Sequence, residues 1–255
     1  RAGPRGQSIT PRGPFAVSVY GNAVNSDGYR VNDYVRQRNA IGDLRYTGDQ
    51  GSAWLNISGD DQHLGLPGAR LVDQNAGINE LATDRRGATT PNAYSSKTGG
   101  SLTLGVSRMF GNSVELIVDG NLRRKDQTIF SSLFGSDTSD VRELTTASLT
   151  PRANINTQLF GTPTKITTGL DYYNSSLNAK RSVGVSDPPY HTYDLNQQAT
   201  AIYWQQTTGV LPTTDISFGG RLQQTRLSAR DRYDAAAPGS FGPFDTAATP
   251  LDSVE

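Results

Sequence analysis

Segments about ten residues long, each alternating apolar with polar residues and joined by connections that are in turn very short and very long, constrain this fold more than any other feature. Ser101 to Phe110 and Ser113 to Leu122, separated only by the break at Gly111-Asn112, show the pattern. In the first, Leu102, Leu104 and Val106 oppose Ser101, Thr103, Gly105 and Ser107; in the second, Val114, Leu116, Val118 and Leu122 oppose Glu115, Asp119 and Asn121. A period of two sends successive side chains to opposite faces of a strand, here one apolar and one wet.

Such segments predict about nine strands: Phe15 to Asn25, Arg36 to Tyr46, Ser52 to Asp60, Gly100 to Phe110, Ser113 to Arg124, Glu143 to Thr157, Lys165 to Asn178, Gln197 to Thr208 and Asp215 to Ala229. Thr47 to Gly51, Gly111-Asn112, Gln158 to Thr164 and Gly209 to Thr214 are short and rich in turn residues. Ser26 to Val35, Asp61 to Gly99, Lys125 to Arg142, Ala179 to Asn196 and the tail from Arg230 are long and polar. Alternation of the two lengths is the plan of an outer-membrane barrel, with turns at one end and loops at the other. Greek-key crossovers would mix the lengths at both ends of a sandwich. The expected fold is therefore all-β, an antiparallel up-and-down meander forming part of a transmembrane β-barrel. Residues 1–14 are expected to be an entry segment or periplasmic turn, 15–229 the strands with long extracellular loops, and 230–255 the start of an extracellular loop or tail.

Charge follows the same parity. Leu44 and Tyr46 oppose Asp43 and Arg45; Ala147, Leu149, Ala153 and Ile155 oppose Ser148, Thr150, Arg152 and Asn154; Ile166, Leu170 and Tyr172 oppose Lys165 and Asp171; Ile216, Phe218 and Leu222 oppose Ser217, Arg221 and Gln223. Against lipid, an Arg or Lys on the apolar face would cost about 2–4 kcal/mol at the midplane. In Ala199 to Gln206 the pattern is ambiguous, since either Ala201 and Tyr203 or Ile202 and Trp204 fit the outward face. Glu143 to Thr157 also exceeds the 9–11 residues a bilayer needs, so its strand is expected to project above the membrane.

Composition narrows the function. Hydrophobic residues make up only 35% and mean hydropathy is -0.52, a thin supply for a conventional core. Basic and acidic residues number 24 each, which gives no general attraction to nucleic acid, and none is expected as a partner. Without Cys there is no disulfide or thiolate metal site. No run approaches the roughly 18 apolar residues of a membrane helix. A soluble or surface-exposed β-rich binding module, of carbohydrate-binding or adhesin type, shares the alternation, and detergent dependence separates it from a barrel. A β-rich carbohydrate-active enzyme would need a cleft with paired carboxylates, and no catalytic residues stand out.

Asp27 to Asn39, Leu64 to Gly68, Arg123 to Gln127, Leu149 to Asn154, Gly169 to Ser175 and Asp215 to Leu222 resemble, in order and spacing, the barrel region of TonB-dependent outer-membrane receptors. The resemblance runs from about Phe15 to Asp234. It implies a receptor of the cell outer membrane whose 22-stranded barrel encloses an N-terminal plug, and which uses energy delivered through TonB to import a scarce solute. A ferric siderophore or other ferric chelate, cobalamin, haem or a similar large solute is the implied ligand; TonB, reached through the plug, and outer-membrane lipid are the implied partners. Segments like a TonB box, a plug or a C-terminal strand ending in an aromatic residue are absent, so the chain reads as an early-to-middle slice of such a barrel. No enzyme activity, metal site or cofactor is expected.

Ligand candidates come from the long connections: Tyr29, Arg30 and Tyr34 in the first, His63 in the second, and Tyr190, His191 and Tyr193 in the fourth. They offer the cationic and aromatic surfaces that a chelate or macrocycle requires. His63 and His191 fit either haem or metal contacts or solvated loop residues. Asp60-Asp61 and Asp137 to Asp140 lack the ligand spacing of a calcium loop, and Gly99-Gly100 and Gly219-Gly220 lack the strand-to-helix setting of a phosphate loop. Tyr46, Phe110, Phe160, Tyr172 and Tyr173 are candidates for interfacial girdles.

Overall fold

A computed structural model describes residues 13–133, 136–240 and 246–254. Residues 1–12, most of the expected entry segment, lie outside the described residues. The strands are β1 (Phe15–Ser26), β2 (Val35–Gly48), β3 (Gly51–Gly65), β4 (Val72–Asp73), β5 (Ile78–Asn79), β6 (Tyr94–Phe110), β7 (Val114–Leu133), β8 (Ser136–Leu149), β9 (Arg152–Leu159), β10 (Thr162–Ser182), β11 (His191–Leu211), β12 (Thr214–Tyr233) and β13 (Thr246–Val254). A single helical turn, α1 (Glu80–Thr83), follows the small β4-β5 hairpin. All other strands form one antiparallel meander in chain order, with β9 in line with β8 between β7 and β10.

Pro151 explains why Glu143 to Thr157 is two strands. Proline has no N–H for the ladder, and the gap at Thr150-Pro151 separates β8 from β9. The register does not slip across it: Gly120 faces Leu149 and Ile117 faces Arg152 on β7, while Tyr172 and Gly169 face the same two residues on β10. Thr150 N–H still donates to the Asp119 carbonyl at 2.8 Å, and Leu170 N–H to the Pro151 carbonyl at 2.9 Å.

The short connections are turns of two or three residues. At Phe160-Gly161 both residues have positive φ, 52° and 80°, the mirror-image turn whose twist suits a hairpin. The long connections are shorter than expected, because β7 runs to Leu133, β10 to Ser182 and β11 starts at His191. Beyond the apolar band, side chains such as Ile129, Phe130 and Leu177 stand isolated among polar ones on both faces, so backbone pairing continues after the period-two signal has ended. His63, Asp137 to Asp140 and His191 thus lie in strands rather than loops. Within the segment expected to be loop or tail, Thr246–Val254 pairs with β12; its Thr, Ala, Pro and Asp content carries no apolar stripe to mark it.

Pairing sorts side chains onto two faces. One row links Val17, Leu44, Leu55, Leu104, Gly120, Leu149 and Tyr172; the next links Val19, Gly42, Ile57, Leu102, Leu122, Ala147, Asn174, Gln198 and Arg226. The second row begins apolar on β1 and ends at Arg226, four residues past Leu222, the last large apolar residue on that face of β12. Such drift of the apolar band across the register is what tilted barrel strands require. The ambiguous segment is settled too: Ile202 pairs with Leu170 and Leu222 on the apolar face, while Ala201 pairs with Asp171 on the polar one.

The apolar face is uncovered. Leu104, Ile202, Leu222 and Phe218 remain 58%, 59%, 59% and 52% exposed. Among the described residues the buried hydrophobics are Ala93, Ile117, Ala179, Ala201 and Ala237, too little for a soluble core. A soluble domain buries such a face under a second layer; here the sheet is a single layer.

Candidate ligand-facing surface

The polar face continues past the apolar band, and the strand extensions bring sequence-distant residues together there. Arg181 pairs with His191 and Asp140, Ala179 with Tyr193 and Arg142, and Tyr193 with Asp231. His191 Nδ1 lies 2.9 Å from Asp231 Oδ1. Its ring is stacked on Tyr193 at 5.4 Å between centroids, meets Tyr190 edge-on at 5.4 Å and lies 4.9 Å from Tyr233. Three of the residues expected to contact ligand, Tyr190, His191 and Tyr193, therefore form one aromatic cluster, completed by Tyr233 and Asp231. Burial, with Asp231 nearby, pushes the Tyr193 phenol above its usual range.

Beside the cluster, Arg142 grips Asp140 through Nε at 2.7 Å and Nη2 at 2.8 Å, and Arg181 adds a bond at 3.3 Å. The Arg142 bonds hold the Asp140 carboxyl below its usual range against the opposing effect of burial. Arg181 Nε is buried without a partner. Leu144, Leu177 and Leu195 pair across β8, β10 and β11 one row closer to the apolar band, giving the cluster a nonpolar shelf.

The first-loop candidates have a different role. Arg30 donates from Nε and Nη2 to the Gly87 carbonyl at 3.1 and 3.0 Å, from Nη1 to Gly68 at 2.7 Å and from Nη2 to Pro67 at 3.2 Å. Asn32, at a φ of 56°, donates from Nδ2 to Leu66, Thr90 and Ala93 at 3.4, 3.0 and 2.6 Å. Together they staple residues 27–34 onto residues 66–93, burying Thr90 and Ala93. Tyr29 lies under the Arg86 guanidinium at 5.4 Å and Tyr34 under Arg36 at 5.7 Å. These bonds occupy most of the donors of Arg30, so it serves as a loop clamp.

His63 stands apart. By register it lies on the same face of β3 as Ile57, whereas His191 lies on the opposite face of the sheet, so the two imidazoles cannot share one ligand. Its neighbour is Asp61, at 3.5 Å. Among the described residues no group of three His, Asp or Glu side chains is placed to hold a metal. Sequence reasoning passes over Tyr233, Asp231, Arg181 and Arg142, and weighs Asp140 only as part of a cation loop at Asp137 to Asp140, since only strand pairing brings them beside His191.

At the turn end of the apolar face Phe15 meets Tyr46 at 5.1 Å and Trp204 meets Phe218 edge-on at 5.3 Å, with Phe110 and Phe160 exposed nearby. Tyr172 and Tyr173, adjacent in β10, fall on opposite faces.

In fold this wide, single-layer antiparallel meander, with an apolar band on one face and strands prolonged past it, resembles part of a TonB-dependent receptor barrel. The sheet superposes on the ferric citrate transporter FecA in its unliganded form with a TM-score of 0.78 at 12% identity, covering 98% of this chain and 36% of FecA. It matches the ferric-catecholate import receptor Fiu of E. coli K12 with a TM-score of 0.75 at 11% identity, covering 98% of this chain and 44% of Fiu. For the pyoverdine receptor FpvA of Pseudomonas aeruginosa PAO1, bound to pyoverdine, the TM-score is 0.73 at 11% identity, with 90% and 41% covered. The chain thus spans less than half the length of these receptors. No protein-family model and no curated protein matches it.

Proposed function

We propose that this chain forms part of the barrel wall of a TonB-dependent receptor in the outer membrane, which imports a scarce solute such as a ferric siderophore, cobalamin or haem and performs no covalent chemistry. The observation that carries the reading is the uncovered apolar band: a continuous face of Leu, Ile, Val and aromatic residues, free of charge across its centre, opposite a polar face bearing Asp119, Arg152, Asp171 and Arg221. In this reading lipid covers the first face and the second lines a wet lumen. The two- and three-residue turns face the periplasm and the stapled 27–34 and 66–93 loops the exterior. Ligand meets the wall around Tyr190, His191 and Tyr193, with Tyr29, Arg30 and Tyr34 serving the loop framework and His63 standing on the other face of the sheet. Coupling to TonB runs through a plug outside this segment.

The test is single Cys substitution in the native receptor, probed with a membrane-impermeant thiol reagent on opened outer membranes. Cys at Thr103, Asp119, Arg152, Asp171 and Arg221 should label, and Cys at Leu104, Val106, Leu116, Val118, Ile155, Leu170 and Phe218 should not. Equal labelling of both sets refutes the membrane assignment.

A further inference from the structure

One charged side chain breaks the parity of the apolar face. From the turns up to the row of Leu44, Leu55, Leu104 and Leu149, Arg108 is the only charged residue that the described strands place on that face. Val106 and Phe110, both exposed, flank it along β6, and its guanidinium lies over the Phe110 ring at 5.8 Å. Among the described residues no carboxylate pairs with it and no acceptor takes its side-chain donors. Near a membrane surface the cost of such a charge on the lipid face falls close to zero, and the long side chain reaches toward the phosphate layer.

The face is hollowed beside Arg108. Its row continues through Gly51 to Gly48, and the next row runs from Val106 through Ala53 to Tyr46, so little rises above the backbone between Arg108 and the Tyr46 ring. A Cβ at Gly51 would collide with the Ser107 carbonyl, which keeps that position bare. The hollow measures about 500 Å³ and takes in Asp49 of the β2-β3 turn, which pairs with neither Arg108 nor another described cation. Val106 and Val118, on its upper side, also line a second hollow of about 390 Å³ at Gly120, walled by Leu104 and Leu149. A furrow with a charged mouth at the turn end thus leads toward the centre of the band.

We infer that this furrow seats one zwitterionic phospholipid of the turn-side leaflet, with its phosphodiester on Arg108, its primary ammonium on Asp49 and one acyl chain against Val106, Val118 and Gly120. The inference rests on the membrane assignment of this face and adds an ordered lipid to it. Guanidinium N–H groups match phosphate oxygens. Opposite charges that line one groove without pairing suit a headgroup carrying both signs; a purely apolar occupant would answer neither, and an anionic headgroup would leave Asp49 opposed by a like charge.

The test reconstitutes the native receptor in phosphatidylcholine vesicles with a trace of phosphatidylethanolamine or phosphatidylglycerol, each bearing the same diazirine acyl chain, and maps the cross-links formed on illumination. The ethanolamine probe should label Val106, Val118 or Gly120 about threefold more than the glycerol probe, the worth of one solvated charge pair. Arg108→Gln should lower that labelling about tenfold, the worth of one charge-assisted contact, while cross-links at Ile202 and Leu222, on the same face of β11 and β12, stay at the level of bulk lipid. Arg108→Lys should keep most of the labelling, and Asp49→Asn should erase the preference between the probes. Gly120→Val, for which the backbone leaves room, should displace the chain and lower labelling at Val118 with heat-modifiable migration intact. Equal labelling by the two probes in the parent, indifference to Arg108→Gln, or a loss shared equally by Ile202 and Leu222 would overturn the lipid seat. The thiol-labelling pattern would survive each of these outcomes, so failure of the seat is distinguishable from failure of the transport reading; a parent without cross-links anywhere on the face would overturn both.

Discussion

The Arg30 clamp permits a quantitative prediction. Arg30→Ala removes four hydrogen bonds to three carbonyls, those of Pro67, Gly68 and Gly87. The Gly68 carbonyl belongs to an exposed residue and rehydrates, whereas Gly87 is buried and loses a charged donor. At about 1.5–3 kcal/mol for a hydrogen bond to a charged group, less for the exposed ones, local opening of residues 66–93 should become easier by about 2–4 kcal/mol. Arg86 reports on this opening, because its carbonyl accepts Val31 N–H at 2.7 Å and its Nε donates to Tyr29 at 3.0 Å in the closed arrangement. Tryptic cleavage after Arg85 or Arg86 on intact outer membranes follows the open population when closing outruns cutting. It should rise by about 30-fold to 1,000-fold, with heat-modifiable migration of the barrel unchanged since the strands pair without the loop. Arg30→Lys keeps the charge but not the fork and should fall between. Unchanged cleavage in Arg30→Ala would show that Asn32 alone holds the loop and would refute the clamp.

Three further outcomes are expected. A Cβ at Gly105 would meet the Trp54 indole and one at Gly169 the Tyr203 ring, so Gly105→Ala should cost about 1–3 kcal/mol and shift Trp54 emission when measured in a Trp204→Phe background. Because Asp140 titrates below its ordinary value of 3.8 in the fold, its stabilisation is complete above that value and lost as pH falls through the lower folded one. The difference in heat-modification midpoint between the parent and Asp140→Asn should therefore be full at neutral pH and shrink only in acid below about pH 4; shrinkage already near pH 6 would contradict the assignment. An epitope inserted at Asn79 or Asp187 should stain on intact cells, and one at Asp49, in the β2-β3 turn, should not; staining at Asp49 would invert the topology.

Strand centres were legible because one apolar and one polar face imprint period two on the sequence: Leu102 to Val106 and Val114 to Leu122 declare their face without help. Strand ends were not legible where both faces meet water. Thr128, Thr138 and Thr192 continue the ladder on hydrogen bonding alone, which leaves no trace in hydropathy. Parity also failed at Ala199 to Gln206, where Tyr203 stands on the polar face over Gly169 and Trp204 on the apolar face beside Phe218; two large aromatics in sequence cannot reveal which of them a glycine will accommodate. The candidate site was half legible. Tyr190, His191 and Tyr193 are near neighbours in sequence, but Asp231 lies 40 positions and Asp140 51 positions from His191, and no local pattern joins them. Arg30 drew notice as a cation in a loop, and only its acceptors revealed a clamp.

The length of β10 and β11, 21 residues each, bears on how such a mouth can work. On the proposed membrane reading a bilayer accounts for about 9–11 of those residues, so roughly ten stand clear of it, some 30 Å of hydrogen-bonded ribbon measured along the strand. A vestibule walled in this way is stiff, because bending it means breaking ladder bonds on both sides at once. Any gating must come from the short tips or from whatever the barrel encloses, and binding groups on the wall keep their spacing whether or not a ligand is present. Substitutions among the wall side chains can then retune what the vestibule attracts without touching the scaffold that holds them apart.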